Sequence, residues 1–466
     1  AICMDFDIME PARILALKGA DVICLPTAWP GEKCPSPHWM TRAFENGVYV
    51  VAANRIGTER GTVFSGGSCI LDPDGSIQAM VDNEQGIVCG YVDLTRTGGK
   101  RCAGWPTGDR FADRRPEMYH GMVLNSYLWN PFLTGSLYNR QGLPPGKRSL
   151  VLAVQMRTPE DPAVALANVE ALLAKFPPRD AEPDLVVLPE LFSVGELATG
   201  DTIRGRAEPL SGPLAVGLER LAARWHVYLV AGLAELESGH FYNTAALFGP
   251  EGRLVGKYRK LHLDRRDREW ADPGNLGLPV FDLPAGRVGL LIGYDALFPE
   301  LARCLALAGV DIICCPSSVP GPRPIALGAT AVSLPEPIYR GPNPTHWHLW
   351  RCRAGENGVY VIFANQWGKN SMGYSGIFHP DYYGYPRHEA VGDGEGDSVL
   401  ALEVDTRDGW SGTVHLQNWL MGNRWAVNPV RTKDYLRLRQ PYWYDIFVHR
   451  RPPVLERQLS CPMTRE

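Results

Sequence analysis

No apolar run in the 466 residues approaches the ~18 that a membrane span needs, and no basic-then-apolar signal peptide opens the chain. Lysines and arginines (47) nearly balance aspartates and glutamates (51), for a formal net charge of −4. No basic stretch is long enough to form the positive patch that nucleic-acid phosphates require. Eleven cysteines are too few for a disulfide scaffold, and no two stand in a C-x-x-C pair of zinc type. Cys24, Cys314 and Cys315 lie inside apolar runs, where a free thiol behaves as a small hydrophobe, and a reducing cytoplasm is the expected compartment. The chain also has no initiator methionine. It opens on Ala1-Ile2, which reads as the tail of a strand, so the expectation is a fragment without the front half of its first domain. What remains is ordinary for a globular protein of two or three domains, with 45% apolar and 21% charged residues.

A long internal repeat organises the chain. Ile2-Cys3-Met4-Asp5, Glu10-Pro11-Ala12-Arg13 and Gly19-Ala20-Asp21-Val22-Ile23-Cys24 recur as Ile292-Gly293-Tyr294-Asp295, Glu300-Leu301-Ala302-Arg303 and Gly309-Val310-Asp311-Ile312-Ile313-Cys314. The copies realign at Glu45-Asn46-Gly47-Val48-Tyr49-Val50 and Glu356-Asn357-Gly358-Val359-Tyr360-Val361. Self-similarity of this length marks a duplicated domain. The copies differ at one position where chemistry would sit: Cys3 in the first, Gly293 in the second.

In the first copy, Val48 to Ala53 reads as a buried strand, and Ser68-Cys69-Ile70-Leu71 before Asp72-Pro73-Asp74-Gly75 reads as a strand and tight turn. The second copy begins near Ser149. A strand to Gln155 precedes a helix capped by Asp161-Pro162, whose apolar face carries Leu166, Val169, Leu173 and Phe176. Asp184 to Leu188 is a second buried strand, Ser211 opens another helix with Leu214, Leu218 and Leu221 on one side, and His226 to Leu233 is a strand. Strands alternating with amphipathic helices predict an α/β sandwich. Four segments follow: 1–97, the C-terminal half of a domain; 98–147, a linker or arm with Trp129 and Tyr138 as packing candidates; 148–405, a complete copy; and 406–466, an aromatic and basic tail without clear periodicity. A Pro-rich insertion, Gly321 to Pro344, has no counterpart in the first copy.

Three strands of the second copy end on polar residues: Val187-Leu188-Pro189-Glu190, Lys257-Tyr258-Arg259-Lys260-Leu261-His262-Leu263 and Leu290-Leu291-Ile292-Gly293-Tyr294-Asp295. A carboxylate, an ammonium and an elbow residue suit acyl transfer. A thiol at the elbow attacks a carbonyl or nitrile carbon, the carboxylate takes its proton, and the ammonium faces the developing oxyanion. Taken singly, Cys3 reads as a buried structural thiol, Glu190 as a solvated loop carboxylate and Lys260 as a surface charge. Taken together, the motifs resemble those of the carbon–nitrogen hydrolase (nitrilase) superfamily, over about the first ninety residues and again over about 149–405. The resemblance implies a nitrilase-like α-β-β-α sandwich, duplicated, with only the C-terminal half of the first copy present. It makes Cys3 the nucleophile, Glu190 the general base, Lys260 the oxyanion-stabilising lysine and Glu269 the additional glutamate of many amidases, although Asp267-Arg268-Glu269 also reads as a solvated turn.

Gly293 departs from the pattern, having no side chain to attack with. Cys3 belongs to the copy whose own glutamate and lysine are not in the sequence, so no complete triad from one domain is written here. The expectation is a hydrolase of non-peptide carbon–nitrogen bonds whose upstream domain is catalytic and whose downstream domain is a pseudoenzyme. It would act on a small amide, carbamoyl or nitrile substrate, without cofactor, metal, nucleic acid or membrane, as a homo-oligomer. The alternative is a catalytically silent ligand-binding or scaffolding module. A third arrangement has the Cys3 half-domain displace the Gly293 half and share Glu190 and Lys260, at the cost of the second domain's native packing.

Overall fold

The computed structural model describes residues 1–450 except 31–34, 83, 98–107, 125–142, 177–181, 321–323, 326–342, 381–387 and 408–428. Trp129, Tyr138 and most of the Pro-rich insertion therefore lie outside the described residues. In the first copy, α1 (Met9–Leu17), β1 (Val22–Thr27), α2 (Pro37–Asn46), β2 (Tyr49–Asn54), β3 (Ser68–Leu71) and β4 (Ile77–Val81) follow one another. The strands form one sheet in the order β1-β2-β3-β4. The expected turn after β3 is present, with Gly75 N–H donating to Asp72 O at 2.8 Å.

The second copy contains β5 (Arg148–Gln155), α3 (Pro162–Lys175), β6 (Pro183–Val187), α4 (Pro213–Trp225), β7 (Tyr228–Glu237), β8 (His240–Gly249) and β9 (Arg253–Arg259). It continues through β10 (Val280–Leu283), β11 (Gly286–Leu290), α5 (Pro299–Leu307), β12 (Ile312–Ser317), α6 (Thr345–Asn357), β13 (Tyr360–Asn365), β14 (Gly376–Phe378), β15 (Glu389–Val391) and β16 (Ser398–Asp405). These make two six-stranded sheets, ordered β9-β8-β7-β6-β5-β16 and β10-β11-β12-β13-β14-β15. Asp161 caps α3 as expected, its carboxylate accepting from Ala163 N–H at 2.8 Å. The helix expected to open at Ser211 starts at Pro213 behind Gly212, because proline suits the first helical position.

Alternation along the strands sets the layers. Leu152, Val154, Val186 and Leu229 point to α3 and α4, where they meet Val169, Leu173, Leu214 and Leu218. Val151, Ala153, Leu185, Val187 and Val230 point the other way, into a core with Val288, Leu290, Ile312 and Cys314. Each such aliphatic side chain contributes about 1.5–3 kcal/mol by burial. The result is helix, sheet, sheet, helix.

The first copy supplies only the second sheet and its helix layer. Ile23, Leu25, Val50 and Ala52 pack beneath the helix residues Ala12, Ala16, Trp39 and Ala43. Their alternates Cys24, Pro26 and Ala53 are exposed, whereas every residue of β12 is buried. The strand expected to be buried through Ala53 is thus covered on one face, because no counterpart of the β5–β9 sheet lies over it among the described residues.

The two copies meet helix to helix, and the contact is reciprocal. Arg13 Nε bonds Glu300 Oε1 at 2.9 Å, and the equivalent Arg303 Nε lies 3.0 Å from Glu10 Oε1. Arg42 pairs with Glu356, and Arg353 Nη2 pairs with Glu45 Oε2 at 2.6 Å. All eight side chains are buried. An exchange in which residue i meets j and the equivalent of j meets the equivalent of i is the signature of an isologous, two-fold interface. Here it is built within one chain.

The connecting segments obey the same exchange. Short helical turns at Pro116–Met118 and His120–Val123 follow the first copy, and turns at Pro441–Trp443 and Asp445–Val448 follow the second. Arg114 Nη2 donates to Phe447 O at 2.7 Å, and Arg439 Nη2 donates to Met122 O. Arg114 Nε lies 3.3 Å from Glu300 Oε1, and Arg439 Nε lies 3.3 Å from Glu10 Oε1. The described part of the tail, expected to lack pattern, is therefore a second copy of the arm: Arg114-x-Pro116-x-x-Tyr119 recurs as Arg439-x-Pro441-x-x-Tyr444.

Removing one carboxylate from this fully buried cluster leaves Arg42 and Arg353 sharing Glu45 alone, so Glu356→Gln is expected to lower the unfolding free energy by about 3–5 kcal/mol, read from urea denaturation. Burial pushes the Glu356 carboxyl up, but Arg42, Arg353 and Arg303 outweigh it and bring it down to about 2. The stability it adds is complete above its ordinary value of 4.5 and drains away as the pH falls toward about 2. The Glu356→Gln protein should accordingly lose less stability than the wild type over that window.

Candidate active site

Three of the candidate positions in the second copy sit just past the C-terminal end of a strand, and the fourth, Glu269, lies on a later turn. Glu190 follows β6, Lys260 follows β9 and Gly293 follows β11. The segment that carries Glu190 runs close along β7 because Gly232 there has no side chain: a Cβ would lie 2.5 Å from Glu190 Cα.

Glu190 and Lys260 are brought together and buried. Lys260 Nζ donates to Glu190 Oε1 at 2.7 Å and pairs with Asp267 Oδ2 at 2.7 Å. Asn243 Nδ2 bridges the two carboxylates, donating to Glu190 Oε1 at 2.7 Å and Asp267 Oδ1 at 2.9 Å. The backbone N–H of Ser318 donates to Glu190 Oε2 at 2.9 Å. Burial, with Asp267 nearby, raises the Glu190 carboxyl despite Lys260. Burial alone would lower Lys260, but Asp267, Glu190 and Asp264 outweigh it and hold the ammonium well above its ordinary value. A carboxyl raised beside a permanent cation is the environment of a general base.

Gly293 starts a short turn with φ of +38°, and Cys3 in the first copy has φ of +43°. Positive φ is costly for a cysteine and tolerated where the surroundings enforce it. A Cβ at Gly293 would lie 2.7 Å from Glu190 Oε2, the movable end of that side chain. The Glu190 carboxylate therefore faces the point from which a side chain at position 293 would project. Each elbow is fastened by an aspartate: Ile292 N–H donates to Asp295 Oδ2 at 3.2 Å, and Ile2 N–H donates to Asp5 Oδ2 at 2.7 Å.

Cys3 is half-buried and stands in the other copy. The glutamate–lysine pairs of the described residues, Lys257 with Glu235 and Glu237 and Lys260 with Glu190, all belong to the second copy. The Cys3 half-domain does not displace the Gly293 half. β11 pairs with its own neighbour β12, aligning Val288 with Ile312 and Leu290 with Cys314.

Glu269 is exposed, and the carboxylate that meets Lys260 is that of Asp267. The two belong to one helical turn, Asp267–Glu269, where residues two apart face different directions. Asp267 is held inward by Asn243 and by the N–H of Asp264 at 3.3 Å. The sequence contains both carboxylates and gives no sign of which one turns in. Asn243 and Ser318 also went unforeseen, since a single polar residue inside an apolar strand carries no spacing signal. His262 was visible in the lysine motif without a role. Its Nδ1 lies 2.9 Å from Asp295 Oδ1, and its ring stacks on Phe298 with centroids 3.7 Å apart.

The carbon-nitrogen hydrolase family model matches residues 1–101 and 150–388. A nitrilase of Pyrococcus abyssi is 39% identical over 161 residues, which cover 34% of this chain and 60% of the relative. Human omega-amidase is 34% identical over 170 residues, 34% of this chain and 54% of the relative. The chain thus spans a little over half the length of these two proteins. A Pseudomonas protegens hydrolase is 29% identical over 266 residues, 57% of this chain and 80% of the relative. The solved structure of Saccharomyces cerevisiae Nit3, a member of branch 10 of the nitrilase superfamily, is 27% identical and covers 56% of this chain and 91% of its own, with a TM-score of 0.45.

The two acidic residues of the turn are distinguishable by substitution. Glu269→Gln, at an exposed position, is expected to change stability by no more than about 0.5 kcal/mol. Lys260→Met leaves Glu190 and Asp267 buried without their cation and is expected to cost about 3–5 kcal/mol. Urea denaturation of both variants checks the pair.

Proposed function

The chain belongs to the carbon–nitrogen hydrolase family, and from that premise we propose that it is part of an enzyme whose catalytic copy is the first, with Cys3 as nucleophile, and whose second copy is a disarmed pseudoenzyme. The observation that carries this reading is the equivalence of the two elbows. Cys3 and Gly293 share a rare backbone conformation, and the second copy retains a glutamate and a lysine arranged around the elbow that has lost its thiol.

The second copy supplies the template for the chemistry. In a completed first copy, a glutamate placed like Glu190 takes the proton of the Cys3 thiol as Sγ attacks the carbonyl or nitrile carbon. A lysine placed like Lys260 faces the negative charge that develops on the substrate oxygen or nitrogen. With an amide, the glutamic acid returns the proton to the departing amine, leaving a thioester. Water then cleaves the thioester, the glutamate again taking a proton, and the acid and free thiol are released. The uncovered face of the β1–β4 sheet, with Cys24, Pro26 and Ala53 exposed, supports a covering half-domain of the β5–β9 kind as the source of those two residues. The substrate in this reading is a small non-peptide amide, carbamoyl compound or nitrile, consistent with the nitrilase and amidase names of the relatives. We place the protein in the cytoplasm from its eight free described cysteines. The homo-oligomer implied by the family resemblance would use surfaces other than the α1, α2, α5, α6 face, which is already filled within the chain.

A second reading, a silent ligand-binding module, is favoured by the separation of thiol and glutamate–lysine pair between the two copies. Turnover of short carboxamides and nitriles by the full-length protein separates the two. Cys3→Ala is expected to abolish turnover, and Cys89→Ala, at an exposed thiol, to leave it within about twofold of wild type. Activity retained in Cys3→Ala would overturn the assignment. No turnover together with no labelling of Cys3 by chloroacetamide would favour the silent module.

A further inference from the structure

The arm that leaves the first copy reaches the elbow of the second. Tyr119, wholly buried, places its hydroxyl 2.6 Å from His262 Nε2. His262 Nδ1 faces the Asp295 carboxylate at 2.9 Å, so this nitrogen carries the proton and Nε2 accepts from the tyrosine. Asp295 also accepts from the backbone N–H of His262 at 2.9 Å and from Tyr258 at 2.8 Å, while its Oδ2 holds Ile292 N–H at the entrance to the elbow. An unbroken run of hydrogen bonds thus joins the first copy's arm to the backbone at Ile292, which enters the elbow at Gly293. Arg115 Nη1 pins the same arm to Gly274 O at 2.8 Å, and Asp113 accepts from the hydroxyl of Tyr294, the residue after the elbow, at 2.9 Å.

The tail of the second copy makes the corresponding approach to the first. Gln440 N–H donates to the Tyr444 hydroxyl at 3.0 Å, as Arg115 N–H does to Tyr119 at 3.1 Å. Tyr444 is buried, and Glu10 and Arg439 are its charged neighbours, where Tyr119 has their equivalents Glu300 and Arg114. Asp5 holds Ile2 N–H as Asp295 holds Ile292 N–H.

We propose that each copy's arm is the positioning element for the other copy's elbow, with Tyr119 acting on the second elbow through His262 and Asp295, and Tyr444 as its counterpart directed at the first. Under this arrangement the disarmed copy has work to do: its tail sets the geometry of the copy that carries Cys3. The claim for Tyr444 rests on the reading of Cys3 as nucleophile. The claim for Tyr119 does not, since all of its contacts lie within the described chain, and the test is therefore made there.

Gly293→Cys installs a thiol at the second elbow, facing Glu190. Its alkylation by iodoacetamide as a function of pH, read by peptide mass spectrometry, reports how well the elbow is held. Tyr119→Phe added to Gly293→Cys is expected to slow alkylation of the introduced thiol by about tenfold, the scale of one lost buried hydrogen bond, and to shift the midpoint of its pH profile. Glu117→Gln, on the same arm with a partly exposed side chain, is expected to leave rate and midpoint within about twofold. An unchanged rate and pH profile in the Tyr119→Phe background overturns the proposal. Should Gly293→Cys fail to fold, the chain with its natural glycine serves, labelled with nitrogen-15 histidine. Tyr119→Phe is then expected to move the His262 Nε2 resonance toward that of an imidazole nitrogen without a hydrogen bond, and an unmoved resonance overturns the proposal.

Discussion

The layer of guanidinium and carboxylate groups between α1, α2 and α5, α6 is the constraint on which the rest of this structure depends. Arg13, Arg42, Arg303 and Arg353 cross to Glu300, Glu356, Glu10 and Glu45 with no access to water. Charges so buried are tolerable only while paired, and each pair draws one member from each copy. Separation of the copies would leave all eight groups to be resolvated, and a sequence change at one would leave its buried cluster with an unbalanced charge. The duplication is thus locked at the level of electrostatics as well as connectivity. Because the interface is isologous, both arms inherit equivalent paths over it, which is why Arg114 and Arg439 close on Glu300 and Glu10 in the same geometry.

The same reasoning accounts for a site that holds its polar residues around a glycine. Lys260 is the cation for two buried carboxylates, and Asn243 ties those carboxylates to each other. Removing any one of these groups leaves another unsatisfied in a low dielectric, at a cost of several kcal/mol. The nucleophile has no such hold on its neighbours. At φ of +38° a glycine is relieved of the strain a cysteine bears there, and Glu190 remains bonded by Lys260, Asn243 and Ser318 without it. Physical chemistry alone therefore makes the thiol the dispensable member of the set. An intact glutamate–lysine pair is weak evidence for activity when stability requires it anyway.

Much of this was readable in the sequence because it was written twice. The α/β layering followed from the periodicity of the segments around Leu152, Val169, Val186 and Leu218, and the elbows from the repeat of Ile-x-x-Asp before Glu-x-Ala-Arg, in which Cys3 is answered by Gly293. Glu190 was found because it ends a strongly apolar strand, and Lys260 because it stands in a Lys-x-x-Lys-x-His motif. What escaped has physical reasons. Asp267 and Glu269 sit on one short turn, and only the packing of Asn243 and Asp264 decides which points inward. The open face of the β1–β4 sheet is invisible locally, since Val-Tyr-Val-Val-Ala-Ala has the same apolar run whether or not a second sheet covers it. The repeat of the arm in the tail was legible as Arg-x-Pro-x-x-Tyr, but two helical turns of three or four residues have no period to draw the eye.

Interleaved arms alter what loss of a nucleophile from one copy would mean. In a dimer of identical chains, each subunit would provide an arm to its partner and receive one, and loss of a nucleophile would silence both sites together. Duplication within one chain separates those roles. The second copy is free to lose its thiol while continuing to supply its four interface charges and its tail, and the first keeps Cys3 in an elbow whose backbone is fastened by Asp5. Selection acting on such a chain would preserve the buried pairs and the arm tyrosines in both copies, but the nucleophile in only one. The sequence has that pattern: Glu10, Arg13, Arg42 and Glu45 are matched by Glu300, Arg303, Arg353 and Glu356, Tyr119 is matched by Tyr444, and Cys3 alone among them is answered by a glycine.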